Sequence, residues 1–207
     1  MTTRGELREL VRQELNDEGT TRLWSDARLD RWIVEAVRWY GREFPRERSV
    51  QLATVAGQAE YALPADWNGR DVWRVEHPPG VPRAPLGASA GPGTEADGAE
   101  PPAYEVYGGA LALRPAPAAT GEVVVVRYGA GYPEPSADGE VLATPDGDDD
   151  LLVLFVCGRA LRWLDVDEAK RQRFERTRGV GASAVAQAYE EELRRRAAQR
   201  RRPLRSG

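Results

Sequence analysis

"LLVLFVCGRALRWL", residues Leu151 to Leu164, is apolar almost all the way round a helical wheel. A helix with one apolar stripe lies on a surface, whereas one apolar on most faces is buried on several. The stretch therefore predicts a central core helix, with Cys157 packed inertly inside it. Just before it stands "DGDDD", Asp146 to Asp150. Asp148, Asp149 and Asp150 sit where a helix N-terminus favours negative charge. As a calcium loop the run fails, because the sixth and twelfth positions from Asp146 are Leu151 and Cys157, where glycine and glutamate are needed. The acids are read as a helix cap, and no metal ligand is assigned.

Downstream, "DEAKRQRFERTR" (167–178) is helical in pattern, falters at Gly179 and Gly181, and resumes in "ASAVAQAYEEELRRRAAQ" (182–199). Ala182, Val185, Ala186, Tyr189 and Leu193 form the stripe of this last helix. "GVGAS" lacks the lysine and the preceding strand of a phosphate-binding loop, so it reads as a helix break. The C-terminus then carries Arg194, Arg195, Arg196, Arg200, Arg201, Arg202 and Arg205. Glu190, Glu191 and Glu192 are spaced to pair with the first three at i,i+3 or i,i+4. The tail reads either as a solvated, frayed helix end or as an arm that docks on something acidic, DNA phosphate or a protein groove, with Arg200, Arg201, Arg202 and Arg205 left as the expected free anchors.

Upstream of the core helix, "TRGE" (Thr3 to Glu6) is a capping box, followed by the stripe Leu7, Leu10, Val11 and Leu15. A second helix starts at the N-cap Ser25, with Trp24 as a hydrophobic staple. Its stripe is Leu29, Trp32, Ile33, Ala36, Val37 and Tyr40, with Trp39 off centre and turned to a second partner. Two amphipathic helices joined by a short link suggest an antiparallel pair.

Between the helical parts the period changes to two. "SVQLATV" (49–55), "EYALP" (60–64), "DVWRVEH" (71–77), "YEVYGGALALRP" (104–115) and "GEVVVVRYGAGY" (121–132) read as strands. Trp73 and Val75 are expected on one side of theirs, Val72 and Arg74 on the other. The Gly108-Gly109 pair signals a hairpin. Pro78 to Pro102 is rich in Pro, Gly and Ala and is expected to be a mobile loop or extended arm. His77, next to two prolines, is expected on the surface.

The 207 residues carry a net charge of -4, so the chain as a whole is no general nucleic-acid binder. Lysine occurs once, at Lys170, among 29 basic residues, a bias too global to be one site's requirement. The longest apolar run, Leu151 to Cys157, is far short of the roughly 20 residues that span a bilayer, so no membrane is expected. "MTTRGELREL" has no apolar core of a signal peptide. One cysteine allows no internal disulfide and suits a reducing compartment. No Ser-His-Asp or Cys-His arrangement can be built around the single histidine, and no cysteine-histidine cluster supports zinc. The expectation is no enzyme, no catalytic residues and no cofactor.

Three quoted stretches resemble the tailed-phage head-to-tail adaptor (connector) proteins, the ring subunits that dock beneath the portal. "LWSDARLDRWIVEAVRWYGREFP" (23–45) is similar to the family's Trp-Ser-Asp start and aromatic helix. "TVAGQAEYALPADWNGRDVWRVE" (54–76) is similar to its turn, Tyr-x-Leu-Pro and strand. "ATPDGDDDLLVLFVCGRALRWL" (143–164) is similar to its acidic cap before a buried helix. Thr54 to Trp67 then reads as a turn and strand edge that launches the β insertion. The fold expected is α+β, a helical bundle core of two N-terminal and further C-terminal helices with a small antiparallel β insertion. The segments are an N-terminal helical pair (1–48), the insertion (49–144, with the 78–102 loop), the C-terminal helices (145–188) and a basic arm (189–207). The resemblance implies a structural virion protein of the neck, made in the host cytoplasm. It would form a homo-oligomeric, dodecameric ring between the portal protein and tail or neck proteins, with DNA passing its channel without sequence-specific binding. Tyr189, Leu193, Arg194, Arg195, Arg196, Arg200, Arg201, Arg202 and Arg205 would be the portal-docking arm. The alternative is a small DNA-binding regulator using the helical pair and the arginine-rich tail, although Asp26, Asp30 and Glu35 offset Arg28, Arg31 and Arg38. An enzyme of unrecognised type is the third reading, and it needs a polar pocket the sequence does not point to.

Overall fold

Thr3 closes the capping box with Glu6: the Glu6 amide donates to the Thr3 hydroxyl at 3.2 Å, and the Thr3 amide to the Glu6 carboxylate at 2.7 Å. Helix α1 (Arg4–Leu15) follows, and Asn16 ends it in the left-handed region at φ 55°. Leu7, Val11 and Leu15 are buried, while Leu10, at the margin of that stripe, is 42% exposed. The computed structural model describes residues 1–87, 102–164 and 166–201. It divides into a helical unit (Met1–Phe44 with Tyr132–Gly207) and a sheet unit (Pro45–Gly131).

The helical unit continues with α2 (Asp26–Glu43), α3 (Asp149–Leu164), α4 (Glu168–Arg178) and α5 (Ala182–Arg200). Helix α3 packs against all four others, as its all-round apolar surface requires. Its Leu151, Leu152, Val156, Cys157, Ala160, Leu161 and Leu164 are buried. Each fully buried leucine stabilises the fold by about 1.5–3 kcal/mol relative to exposure. Trp24 is also buried, and its indole N–H donates to the Ala160 carbonyl at 3.2 Å. Ser25 sits at the N-cap of α2, but its side chain makes no capping hydrogen bond. Trp39 stacks on Phe155 of α3 at 5.3 Å between ring centroids. Gly179, at φ 69°, ends α4, so the last helical region is two helices. The small Ala182 and Ala186 face the core from α5, and Val185, Tyr189 and Leu193 pack beside them.

The sheet unit holds β1 (Arg46–Ala53), β2 (Glu60–Ala62), β3 (Trp67–Glu76), β4 (Pro82–Pro85), β5 (Ala103–Tyr107), β6 (Ala110–Arg114) and β7 (Val123–Ala130). They form one curled sheet in the order β1-β7-β3-β4-β5-β6-β2. Neighbours are antiparallel except β4 and β5, which are parallel, so the sheet is mixed. Tyr61, Val75, Tyr104, Leu111, Leu113, Val124 and Val126 make its own core. Gly108 and Gly109, at φ 58° and 86°, supply the two positive φ values of the β5–β6 hairpin turn.

A helical bundle core with a small antiparallel β insertion is therefore not the fold. Among the described residues the sheet unit has seven strands and an apolar core of its own, and the helical unit has five helices. The element that joins the strands into one sheet is β4, inside the proline-rich stretch expected to be loop. Proline lacks a ladder donor, but Pro82 and Pro85 stand at the two ends of a four-residue strand. Between them Arg83 pairs with Val75 of β3, and Ala84 with Ala103 of β5. Of the rest of that stretch, residues 88–101 lie outside the described residues. The expected alternation in β3 also fails. Its register shifts between Val72 and Arg74, leaving Trp73 46% exposed while Val75 is fully buried. A bulge at that point adds one residue and turns the period over.

Candidate functional site

The sequence's two extremes of charge, the acidic run before α3 and the arginines at the end of α5, meet in the helical unit. Helices α3 and α5 run so that the start of one lies by the end of the other. Arg196 reaches Asp150, Arg200 reaches Asp148 at 3.1 Å, and Arg201 reaches Glu43 at the end of α2. Asp148 also accepts from the Tyr40 hydroxyl, whose pKa rises through burial and through that carboxylate. Thr2 donates to Asp149, and the Met1 amino group lies 3.2 Å from Asp146.

The expected pairing along α5 is present at two of its glutamates. Arg194 lies 3.8 Å from Glu190, while Arg195 and Arg196 each lie 2.6 Å from Glu192. These two guanidiniums, Arg195 first, pull Glu192 from 4.5 down to about 2. Glu191 takes a hydrogen bond from Gln187 instead. Tyr189 is half-buried, donates its hydroxyl to Glu14 at 2.8 Å and has its pKa raised, mainly by burial. Leu193 packs against the helical core. Arg200 and Arg201, expected as free anchors, are thus ion-paired within the chain, and Arg202 and Arg205 lie outside the described residues. Helix α5 runs unbroken from Ala182 to Arg200, and Ala197 near its end is still buried.

His77 is not a surface residue but is 8% exposed in the sheet unit. The Arg83 guanidinium donates to its Nδ1 at 2.8 Å, so Nδ1 carries a lone pair and the ring proton sits on Nε2. That Nε2 lies 2.9 Å from the Glu122 carboxylate. Arg83 also donates to the Arg114 and Pro115 carbonyls, and burial lowers its pKa. The partners lie 6 and 45 residues from His77 in sequence, so no local pattern announces them. Both ring nitrogens of His77 are therefore engaged within the sheet unit.

Cys157 is buried, and burial pushes its thiol pKa up, which disfavours a reactive thiolate. Among the described residues no group of His, Cys, Asp and Glu could hold a metal ion, and no helix is long and apolar enough to cross a membrane.

No curated protein matches the chain in sequence. Residues 2–207 match the SU10 adaptor protein family, in agreement with the resemblance carried by the three quoted stretches. Nearly the whole length is covered, helices and sheet alike, and the chain belongs to the SU10 adaptor protein family.

Proposed function

We propose that the chain is a structural virion subunit at the neck of a tailed phage, joining the portal to the tail. In this reading copies form a ring, DNA passes through its channel without sequence readout, and the arginine-bearing end of α5 docks on the portal. The observation that carries it is the family match over residues 2–207. The pairs of Arg196, Arg200 and Arg201 are partly exposed, and such pairs are worth only about 0–1 kcal/mol each. An acidic portal groove can therefore take these guanidiniums over at little cost.

Co-sedimentation with portal rings tests the reading. The full chain is compared with a triple variant, Arg196→Ala, Arg200→Ala and Arg201→Ala, at low and high salt. Binding by the full chain that the triple variant loses, and that salt weakens, is the expected result. No binding by either, with tight salt-sensitive binding to duplex DNA, would replace the adaptor reading with that of a DNA-binding regulator.

A further inference from the structure

The acids expected to neutralise the start of α2 are engaged elsewhere. Asp26 pairs with Arg12 and Arg22, and Asp30 with Arg8 and Arg4. Arg28 has turned to the end of α3, where its guanidinium lies 3.9 Å from the ring centroid of Trp163. Its Nη1 is buried and has no hydrogen-bond partner among the described residues. Trp163 leans on the buried Trp32 at 6.4 Å, and the Lys170 ammonium lies 4.7 Å from the Trp163 ring. Beside them Arg31 and Arg159 share Glu35, each at 3.4 Å, with side chains 80% and 58% exposed. Arg28, Arg31, Trp32, Glu35, Arg159 and Trp163 line an open cleft of about 480 Å³ within the helical unit.

Among the described residues the cleft has three guanidiniums and one carboxylate. Glu35 shows that two of the arginines converge on a group of carboxylate size, and at 3.4 Å they hold it loosely. Arg28 is fixed in place by stacking, so presenting its donors costs little side-chain entropy. A nucleic acid is the poorer match. Arg28 already covers the Trp163 ring and Trp32 is buried, which leaves no indole face for a base.

We propose that this cleft binds a pair of carboxylates on an acidic segment of a partner protein. Arg28, braced on Trp163, receives one, while Arg31 and Arg159 exchange Glu35 for the other as charge-assisted hydrogen bonds. The site lies on α2 and α3, apart from the arginines at the end of α5. It rests on the adaptor reading only in taking the partner to be a protein.

The test uses the full-length protein and a fluorescein-labelled dodecapeptide of alternating Asp and Gly, with an Asn-Gly peptide as the neutral control, read by anisotropy. The double variant Arg31→Ala/Arg159→Ala changes two exposed side chains and leaves the core intact; it is expected to weaken binding about tenfold or more. Arg28→Lys keeps the charge but loses the planar fork, and is expected to weaken it severalfold. Arg176→Ala, on the exposed face of α4, is expected to change nothing. Undiminished binding by the double variant, equal binding of the neutral peptide, or an equal loss with Arg176→Ala would overturn the proposal. Displacement of the peptide by a single-stranded oligonucleotide at lower concentration would overturn it in favour of nucleic acid. No portal ring enters this assay, so a negative result here leaves the docking experiment standing, and a failure of docking leaves this one readable.

Discussion

Two arginine–carboxylate clusters in the helical unit differ in almost everything except chemistry. At the first, Arg12 is wholly buried between Asp17, at 2.7 Å, and Asp26, and it also donates to the Trp24 carbonyl. At the second, Arg196, Arg200 and Arg201 are about half exposed against Asp150, Asp148 and Glu43. The buried cluster ties the α1–α2 link into one geometry, because removing either partner strands a charge away from water. The exposed cluster exchanges freely with solvent ions and with other proteins. The comparison teaches that burial, rather than the number of pairs, separates a residue that holds the fold from one available for docking.

The largest effect is expected at the buried end. Arg12→Ala leaves Asp17 uncompensated and should cost about 3–5 kcal/mol in denaturant unfolding; a loss under 1 kcal/mol would erase the distinction. Arg83→Ala in the sheet unit comes next. It strips a donor from His77 Nδ1 and from two carbonyls, for about 1–3 kcal/mol. Arg200→Ala should cost under about 1 kcal/mol, and less still at high salt. A cost as large as that of Arg12→Ala would mean the exposed cluster is structural.

The smallest effect concerns acid. Glu192 is depressed in the folded chain, so its contribution is fully present above its ordinary value of 4.5 and is lost as the pH falls towards about 2. Glu192→Gln should remove that contribution, so the variant is slightly less stable at neutral pH, loses less stability across that window and converges with the parent near its lower end. Parallel pH profiles for the two proteins, with no convergence at acid pH, would show that the pairing with Arg195 and Arg196 is not its source.

The helices were legible because their signals are local. The Thr3–Glu6 capping box, the Leu7–Val11–Leu15 spacing and the glycine at 179 all act within a few residues. The sheet was legible strand by strand but not as a whole. Its joining strand β4 is held by a parallel neighbour that starts 21 positions after it, and its flanking prolines disguise it. The bulge at Trp73 depends on β7, and the burial of His77 on Arg83 and Glu122. The adaptor resemblance could be read from the order of three stretches. The pairing of Arg200 with Asp148, 52 residues away, could not, and neither could the freeing of Arg28 by Arg12 and Arg8.

The single cysteine, at the centre of α3, makes the helical unit its own reporter. A thiol-alkylating reagent has only Cys157 to find, and finds it only when the packing around that helix opens. The pace of labelling under native conditions therefore reads the opening free energy of the helices alone, without a signal from the sheet. The same tube, with and without a docking partner, would report as a ratio of rates how far assembly tightens the subunit.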